Sequence, residues 1–222
     1  MQDAINALGG ADVRRTYMTI GKGGTFRLEV PEGTKGAKTR TYEVEVDGAK
    51  VTKTKTEINK SLLQDVLIKD MNVYTGNYGE SLNVDVDING VDFTLQFKTD
   101  SSYGMDFMEK IPGVDLTQRM NIRGYDFEDD KGKRRRGLSI EQDGEKIDGY
   151  FYDKESKKAL HGIPTPVEDG KGYDSKKWRR FFEDKAEFLV AYMKSDVIPK
   201  LASAVNSVED VVESDDSEDV PF

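Results

Sequence analysis

The sequence has no cysteine, a single histidine and no long hydrophobic run. Without cysteine, disulfide bridges, thiolate metal sites and cysteine nucleophiles are excluded. The lone His161 likewise excludes the histidine-rich catalytic and zinc sites. No apolar stretch is long enough to span a membrane, and the N-terminus does not have the layout of a signal peptide. We therefore expect a cytoplasmic, non-enzymatic protein with no membrane partner, no cofactor and no metal site.

The acidic residues are concentrated at the C-terminus. The formal net charge is −9, and the residues from Ser207 onward contain seven Asp or Glu and no Lys or Arg. The rest of the chain is therefore close to neutral. Like charges at this density repel one another and stay hydrated, so they do not contribute to a folded core. We predict a disordered acidic tail over residues 207–222.

Alternation of apolar and polar residues dominates the first two-thirds of the chain. Residues 81–88 and 91–97 alternate on either side of Asn89-Gly90, which predicts a β-hairpin. The same pattern predicts a long strand over 62–74, and an additional hairpin before it formed by 26–30 and 42–46. Gly21 to Thr25 is interpreted as a hairpin turn, and residues 33–40 and 51–56 as a flexible basic set. Further strands are predicted over 119–127, 135–142 and 146–152.

Two segments have helical spacing. Residues 101–114 form a predicted short helix between strands, and a C-terminal helix follows a Gly- and Pro-rich connector at about 160–174. Asp174 or Ser175 would cap that helix, and Pro199 would kink or end it. Its apolar stripe, which we expect to pack on the strands, is Trp178, Phe181, Phe182, Leu189, Tyr192 and Met193.

We thus predict a mainly β fold. Three strands, a short helix and two or more strands is the element order of the oligonucleotide-binding (OB) barrel, although other small β-barrels share it. The predicted organisation is an OB-like barrel with an N-terminal hairpin over 1–160, a connector and amphipathic helix over 161–206, and the tail over 207–222.

The end of the tail has a second feature, because its acids lead into Val220, Pro221 and Phe222. Proline keeps the end extended, so the Phe222 ring and its carboxylate are presented together to a pocket and a cationic clamp. A solvated tail that only aids solubility is the alternative, but it gains nothing from an exposed aromatic tip. This tail resembles that of bacterial and bacteriophage single-stranded DNA-binding proteins, which end in an Asp cluster, a small apolar residue, Pro and Phe.

The resemblance implies sequence-independent binding and protection of single-stranded DNA in replication, recombination and repair. It also implies that the tail tip recruits a polymerase, primase, helicase or nuclease. The residues that would bind such a partner are Asp215, Asp216, Glu218, Asp219, Val220, Pro221 and Phe222. The extra hairpin and helix resemble a bacteriophage version acting in the bacterial host cytoplasm, and homo-oligomerisation stays open.

Binding an unpaired strand requires cations spaced along the phosphates and aromatic rings for stacking. Alternation along 119–127 and 146–152 points cations and rings away from the core, and residues 131–136 hold five cations. The predicted DNA-binding residues are Lys35, Lys38, Arg40, Lys53, Lys55, Lys98, Arg119, Arg123, Tyr125, Phe127, Lys131, Lys133, Arg134, Arg135, Arg136, Tyr150 and Tyr152.

Four observations support other interpretations. The outward rings could form a second small core under an added element. The acids at 128–130 could neutralise part of the basic run, and Asp85 and Asp87 would repel phosphate on their strand. Trp178 lies between basic pairs but also on the apolar stripe, which favours a core position. The alternative function is an adaptor that mimics a host tail without binding nucleic acid.

Overall fold

The computed structural model describes residues 16–46, 48–77, 79–156, 158–167 and 171–204. Within these residues the fold is mainly β, as predicted, with ten strands in one sheet. The strands are β1 (Tyr17–Gly21), β2 (Thr25–Glu29), β3 (Lys38–Val46), β4 (Ala49–Lys60), β5 (Leu62–Gly76), β6 (Gly79–Ile88), β7 (Val91–Lys98), β8 (Met120–Glu128), β9 (Arg134–Gln142) and β10 (Glu145–Lys146). Helix α1 (Ser102–Lys110) runs into a 3-10 turn (Ile111–Gly113), and helix α2 spans Ser175–Tyr192.

The sheet order is β10-β9-β8-β5-β6-β7-β1-β2-β4-β3, so β10 and β3 are its two edges. All described neighbours are antiparallel except β1 and β7, which are parallel. The sheet is open, and a closed OB-like barrel is therefore not established. It nevertheless curls until the turn between β1 and β2 touches β8, where the Gly23 N–H donates to Asp126 Oδ2 at 3.1 Å.

The central strands match the prediction closely. In the β6–β7 hairpin the partners Leu82 and Phe97 lie in the core, and Asn89 (φ 54°) and Gly90 (φ 80°) turn the chain. Two successive positive φ angles are the geometry for which Asn-Gly is favoured in hairpins. Strand β5 is bulged between Ile68 and Asp70, which changes the face on which its later side chains lie.

The N-terminal strands are paired differently from the prediction. Residues 26–30 and 42–46 fall mainly in β2 and β3, but both of these strands pair with β4 and not with each other. The supposedly flexible residues 51–56 belong to β4. Most side chains at the start of β4 are exposed on both faces, so that stretch has no apolar alternation from which a strand could be recognised.

The predicted strand over 146–152 is also wrong beyond its first residue. Strand β10 ends at Lys146, and the chain then turns under α2, where Tyr150 and Tyr152 are half-buried. The local alternation was real, but packing against a distant helix replaced strand pairing.

Helix α2 covers one side of the core. Its N-cap is Asp174, whose side chain accepts a hydrogen bond from the Lys177 N–H at 2.8 Å, as predicted. Leu189 of α2 and Met193, the first residue after the helix, are buried in the core. On the other helix, Phe107 of α1 stacks on Phe97 of β7 at 4.7 Å. The helix does not end at Pro199: it continues to residue 204 after a π turn, Met193–Val197. Because proline has no N–H to donate, the π turn just before it accommodates the missing bond.

Candidate nucleic-acid interface

The outer face of the sheet, which points away from the core, can be followed through cross-strand pairs over five strands, β6, β7, β1, β2 and β4. Cross-strand partners share a face, and the partners of Gln96 on β7 are Asn83 on β6 and Thr19 on β1. Thr19 in turn pairs with Arg27, and Arg27 with Asn59 on β4. These residues alternate with the apolar core residues of their strands, so their side chains lie on the outer face, where Asn83 is itself only 7% exposed. This row of neutral amides, a hydroxyl and one cation is polar without excess negative charge.

A groove lies on this face at the turn between β5 and β6. It has a volume of about 530 Å³ and is lined by Tyr74, Gly76, Asn77, Gly79, Ser81, Gln96 and Lys98. Tyr74, Ser81 and Lys98 are cross-strand neighbours, and Tyr74 is 58% exposed. Lys98 was predicted to bind DNA, but Tyr74 was missed because the β5 bulge interrupts the alternation that would have placed it outside.

Of the two acids on β6 that opposed DNA binding, Asp87 is paired with a cation, whereas Asp85 is hydrogen-bonded to a neutral hydroxyl group. Asp87 accepts a hydrogen bond from Arg119 NH2 at 2.7 Å, and Asp85 accepts one from Thr94 Oγ1 at 2.6 Å. Burial opposes ionisation of Asp87, but hydrogen bonds from Arg119 and the Gly90 N–H hold its pKa below the usual value. Arg119, which also contacts Asp65, is therefore engaged within the fold.

Strand β8 carries the predicted outward row. Arg123 is exposed and lies opposite Ser139, and the rings of Tyr125 and Phe127 are 5.9 Å apart. Phe127 is 55% exposed, whereas Tyr125 is half-buried and burial raises its pKa. Phe127 and Arg123 are thus the members of this row best placed to contact a ligand.

The basic hairpin between β8 and β9 is partly neutralised, by Asp129, as the sequence suggested, and by Asp126, which the sequence did not suggest. Asp126 accepts a two-pronged pair of hydrogen bonds from Arg134, at 2.6 and 2.8 Å, and a third from Arg136 at 3.3 Å. Hydrogen bonding to Arg134 is the main cause that holds the pKa of Asp126 well below its usual range. Arg135 pairs with Asp129 at 2.8 Å, whose pKa is lowered chiefly by the Lys133 N–H.

Lys131 and Lys133 at the tip are exposed, and neither forms an ion pair with any residue in the described part of the chain. This hairpin, residues 120–142, is called the β8–β9 arm below. The tip of this arm presents Lys131 and Lys133 without ion pairs in the described chain, next to the arginines 134–136, which are held by carboxylates.

The β3–β4 arm, residues 38–60, shows the same division. Arg40 donates two hydrogen bonds to Glu57, at 3.2 and 3.0 Å, and lies 5.0 Å from the centre of the Tyr42 ring. Lys55 is paired with Glu29 at 2.5 Å. The remaining predicted cations of this region are exposed and without an ion pair among the residues described, namely Lys35, Lys38 and Lys53.

The two arms start at one junction. The Gly124 N–H donates to the carbonyl of Ser61, the residue that joins β4 to β5, at 3.0 Å. Gly124 lies on β8, so the bases of the two basic hairpins are hydrogen-bonded neighbours although Ser61 and Gly124 are far apart in sequence.

Tyr150 and Tyr152 are not brought to this face. The Tyr150 ring stacks on His161 at 4.3 Å, and the Tyr192 hydroxyl donates to the Tyr150 hydroxyl at 3.3 Å. Tyr152 accepts a hydrogen bond from Lys185 of α2 at 3.2 Å. Tyr150 and Tyr152 are thus covered by α2, as the alternative interpretation held, but they pack against the main core and do not form a second one.

Three further predictions concern the tail, metal binding and membrane spans. The proposed partner-binding residues at 215–222 are all outside the described ranges. Among described residues, no cluster of three or more His, Cys, Asp or Glu could hold a metal ion. No described helix has the length and apolar character required to cross a bilayer.

Comparison of the chain with protein-family models, curated proteins and solved structures gave no match in any of the three.

Proposed function

We propose that the protein binds single-stranded DNA without sequence preference and protects it during replication, recombination or repair. The observation that carries the proposal is that cations without ion pairs and exposed aromatic rings occur together on one face of the sheet. Lys98 lies beside Tyr74 in the groove, and Arg123 lies on the strand that carries Phe127. Cations for the phosphates and rings for the bases are what sequence-tolerant binding requires.

The proposed fold is an open variant of the OB barrel. The meander β5-β6-β7, helix α1 and the β8–β9 hairpin follow the OB order, and bulged β5 pairs with both β6 and β8. OB folds bind oligonucleotides on the face of their second and third strands and through the loops after the first and fourth. The corresponding features are the β6–β7 face, the Tyr74–Lys98 groove and the tip with Lys131 and Lys133.

The acidic tail completes the proposal. In the cytoplasm of a bacterial host, residues Asp215 to Phe222 would recruit a replication or recombination enzyme, such as a polymerase, primase, helicase or nuclease. DNA held by the sheet and an enzyme held by the tail would then be brought together by one chain. This part rests on the sequence of the tail and on its resemblance to the tails of single-stranded DNA-binding proteins.

Fluorescence anisotropy with a labelled oligothymidine at two salt concentrations tests the proposal. We expect binding that weakens steeply with salt, because bound phosphates release counterions. Lys131→Gln/Lys133→Gln should lower the salt dependence, with a slope of log affinity against log salt reduced by about 1.4. Lys146→Gln/Lys200→Gln is the matched control, because both lysines are exposed and lie outside the proposed site.

Absence of binding at low salt would overturn the proposal and favour the adaptor function. An unchanged slope in the tip variant, with binding intact, would remove the tip from the site.

A further inference from the structure

A cluster of aromatic rings lies at the N-terminal half of α2, outside the main core. Trp178 and Phe182 are nearly parallel, with centroids 5.8 Å apart and an interplanar angle of 25°. Tyr173 and Phe181 meet the Trp178 ring edge-on, at 5.1 and 5.8 Å. Phe182 is 44% exposed, and the core of the protein does not include Trp178, Phe181 or Phe182. We call Tyr173, Trp178, Phe181 and Phe182 the ring cluster.

A groove of about 600 Å³ runs beside the ring cluster. It lies between α2 and the connector, and its lining includes Val167, Lys171, Lys177, Arg180, Phe181 and Asp184. Val167 on its wall is 69% exposed. The lining thus combines apolar surface with three cations and one carboxylate.

The cations around the ring cluster are available to a ligand. Lys176, Lys177, Arg179 and Arg180 are exposed and make no ion pair with another residue of the described chain. Arg180 and Asp184 are one helical turn apart and both line the groove, yet they are not paired. This differs from the β8–β9 hairpin tip, where carboxylates hold Arg134, Arg135 and Arg136. Four like charges within five residues repel one another unless an anionic partner is bound.

We propose that the ring cluster and its groove are a second contact surface for single-stranded polynucleotide. A base would stack on the Trp178–Phe182 pair or enter the groove beside Phe181, while Lys177 and Arg180 contact the flanking phosphates. This deepens the proposed function, because a strand bound on the sheet would gain a further site on α2. The sequence alone favoured a core position for Trp178, because Trp178 lies on the same apolar stripe as Leu189 and Met193. The pattern does not reveal that only the part of the stripe after about residue 186 is packed on the core.

The chain provides its own probe, since Trp178 is its single tryptophan. Excitation at the red edge of the indole band reports on this ring, and stacking of a base quenches its emission. We would titrate the full-length protein with unlabelled oligothymidine and follow tryptophan emission, and in parallel follow anisotropy of the labelled oligomer. The expected result is quenching that saturates together with anisotropy.

The variant Lys177→Gln/Arg180→Gln keeps the tryptophan reporter. We expect at least about fivefold weaker binding at low salt, a salt slope lower by about 1.4, and less quenching. Lys146→Gln/Lys200→Gln is again the control, with expected wild-type quenching. An unchanged thermal midpoint in both variants shows that the fold is retained.

The outcomes separate the two proposals. Anisotropy binding with unchanged tryptophan emission and wild-type affinity in Lys177→Gln/Arg180→Gln overturns the α2 surface but leaves the proposed function standing. No binding in either measurement overturns both. If a synthetic peptide of residues 207–222 changes the emission and oligothymidine does not, the surface takes an acidic peptide and the inference is wrong.

Discussion

Gly24 and Gly124 are in backbone contact where the curled sheet brings the β1–β2 turn onto β8. A Cβ atom built on Gly124 would overlap the carbonyl oxygen of Gly24, and it would lie 3.0 Å from Ile20 Cδ1. The obstacle to a larger residue is thus backbone, which cannot move aside as a flexible side chain can. Only glycine at position 124 permits this approach without displacing the turn.

Gly124→Ala should therefore destabilise the protein by about 1–3 kcal/mol, the usual cost of overpacking a closely packed site. Chemical denaturation measures the change in the free energy of unfolding. Gly113→Ala is the control, because a Cβ there would make only ordinary van der Waals contacts, with Ile147 Cγ2 at 3.7 Å and two Tyr150 side-chain atoms at 3.9 Å. Its effect should stay within about 1 kcal/mol. Equal stabilities for the two variants would show that the contact between β8 and the turn is dispensable.

Asp126 should make stability depend on pH in the acid range. Its hydrogen bonds from Arg134, Arg136 and the Gly23 N–H lower its pKa in the folded state, so the unfolded chain binds its proton first as pH falls. The contribution of Asp126 is complete above about pH 5 and is lost as pH falls below the ordinary Asp value of about 3.9.

Denaturant unfolding of wild type and Asp126→Asn between pH 7 and pH 2 checks this sign. The free energy of unfolding of the wild type should exceed that of Asp126→Asn most near neutral pH, and the difference should decrease as the pH falls. Asp130→Asn changes an exposed carboxylate on the same hairpin and should leave the profile unaltered. A wild-type advantage that does not vary with pH would refute the assigned role.

Substitutions of Arg119 and Lys98 should have different effects on the free energy of unfolding and on DNA affinity. Arg119 forms an ion pair with Asp87, whose side chain is only 10% exposed. Arg119→Gln therefore leaves the nearly buried carboxylate of Asp87 without a positively charged partner. We expect a loss of about 1–2 kcal/mol, less than for a fully buried pair because Arg119 is itself 40% exposed. Lys98 has no ion pair in the described residues, so Lys98→Gln should not affect stability.

The same two variants should reverse their order in DNA binding. Lys98→Gln should weaken oligothymidine binding and lower its salt dependence, whereas Arg119→Gln should bind as wild type where it is folded. Anisotropy and denaturation on one set of samples give both quantities. A loss of affinity in Arg119→Gln at a temperature where it is fully folded would place Arg119 in the interface.

Some strands could be predicted from the sequence and others could not, for physical reasons that differ from strand to strand. The β6–β7 hairpin was predictable because one face is buried, which imposes alternation, and because Asn-Gly specifies the turn. The first half of β4 was not, since a strand exposed on both faces needs no apolar period. Tyr150 and Tyr152 were placed on the wrong surface because α2, which covers them, lies more than 20 residues further along the chain.

For the candidate site, the residue types were predictable and their availability was not. The basic run at 131–136 is evident in the sequence, but the partner of Arg134 is Asp126, which pairs from across the hairpin. Likewise 32 residues separate Arg119 from Asp87. Only the fold shows that Lys131 and Lys133 stay free of such pairs in the described chain while the three arginines after them do not.

The acidic tail should compete with DNA for the cationic face. Its seven acids are tethered to the same chain, which gives them a high effective concentration at Lys98, Lys131 and Lys133. Deletion of residues 207–222 should therefore tighten oligothymidine binding, most visibly at low salt, where charge interactions are least screened. Anisotropy titrations of the full-length and truncated chains at low and high salt measure the difference.

A single substitution distinguishes the charge of the tail from its tip. Phe222→Ala keeps all seven acids, so its affinity for oligothymidine should equal that of the full-length chain, because competition depends on charge. The same substitution should abolish capture of a replication enzyme, because that contact requires the ring. If truncation leaves DNA affinity unchanged at low salt, the tail does not compete. If Phe222→Ala alone tightens DNA binding, the ring itself occupies the DNA site, and the two roles of the tail are not separable.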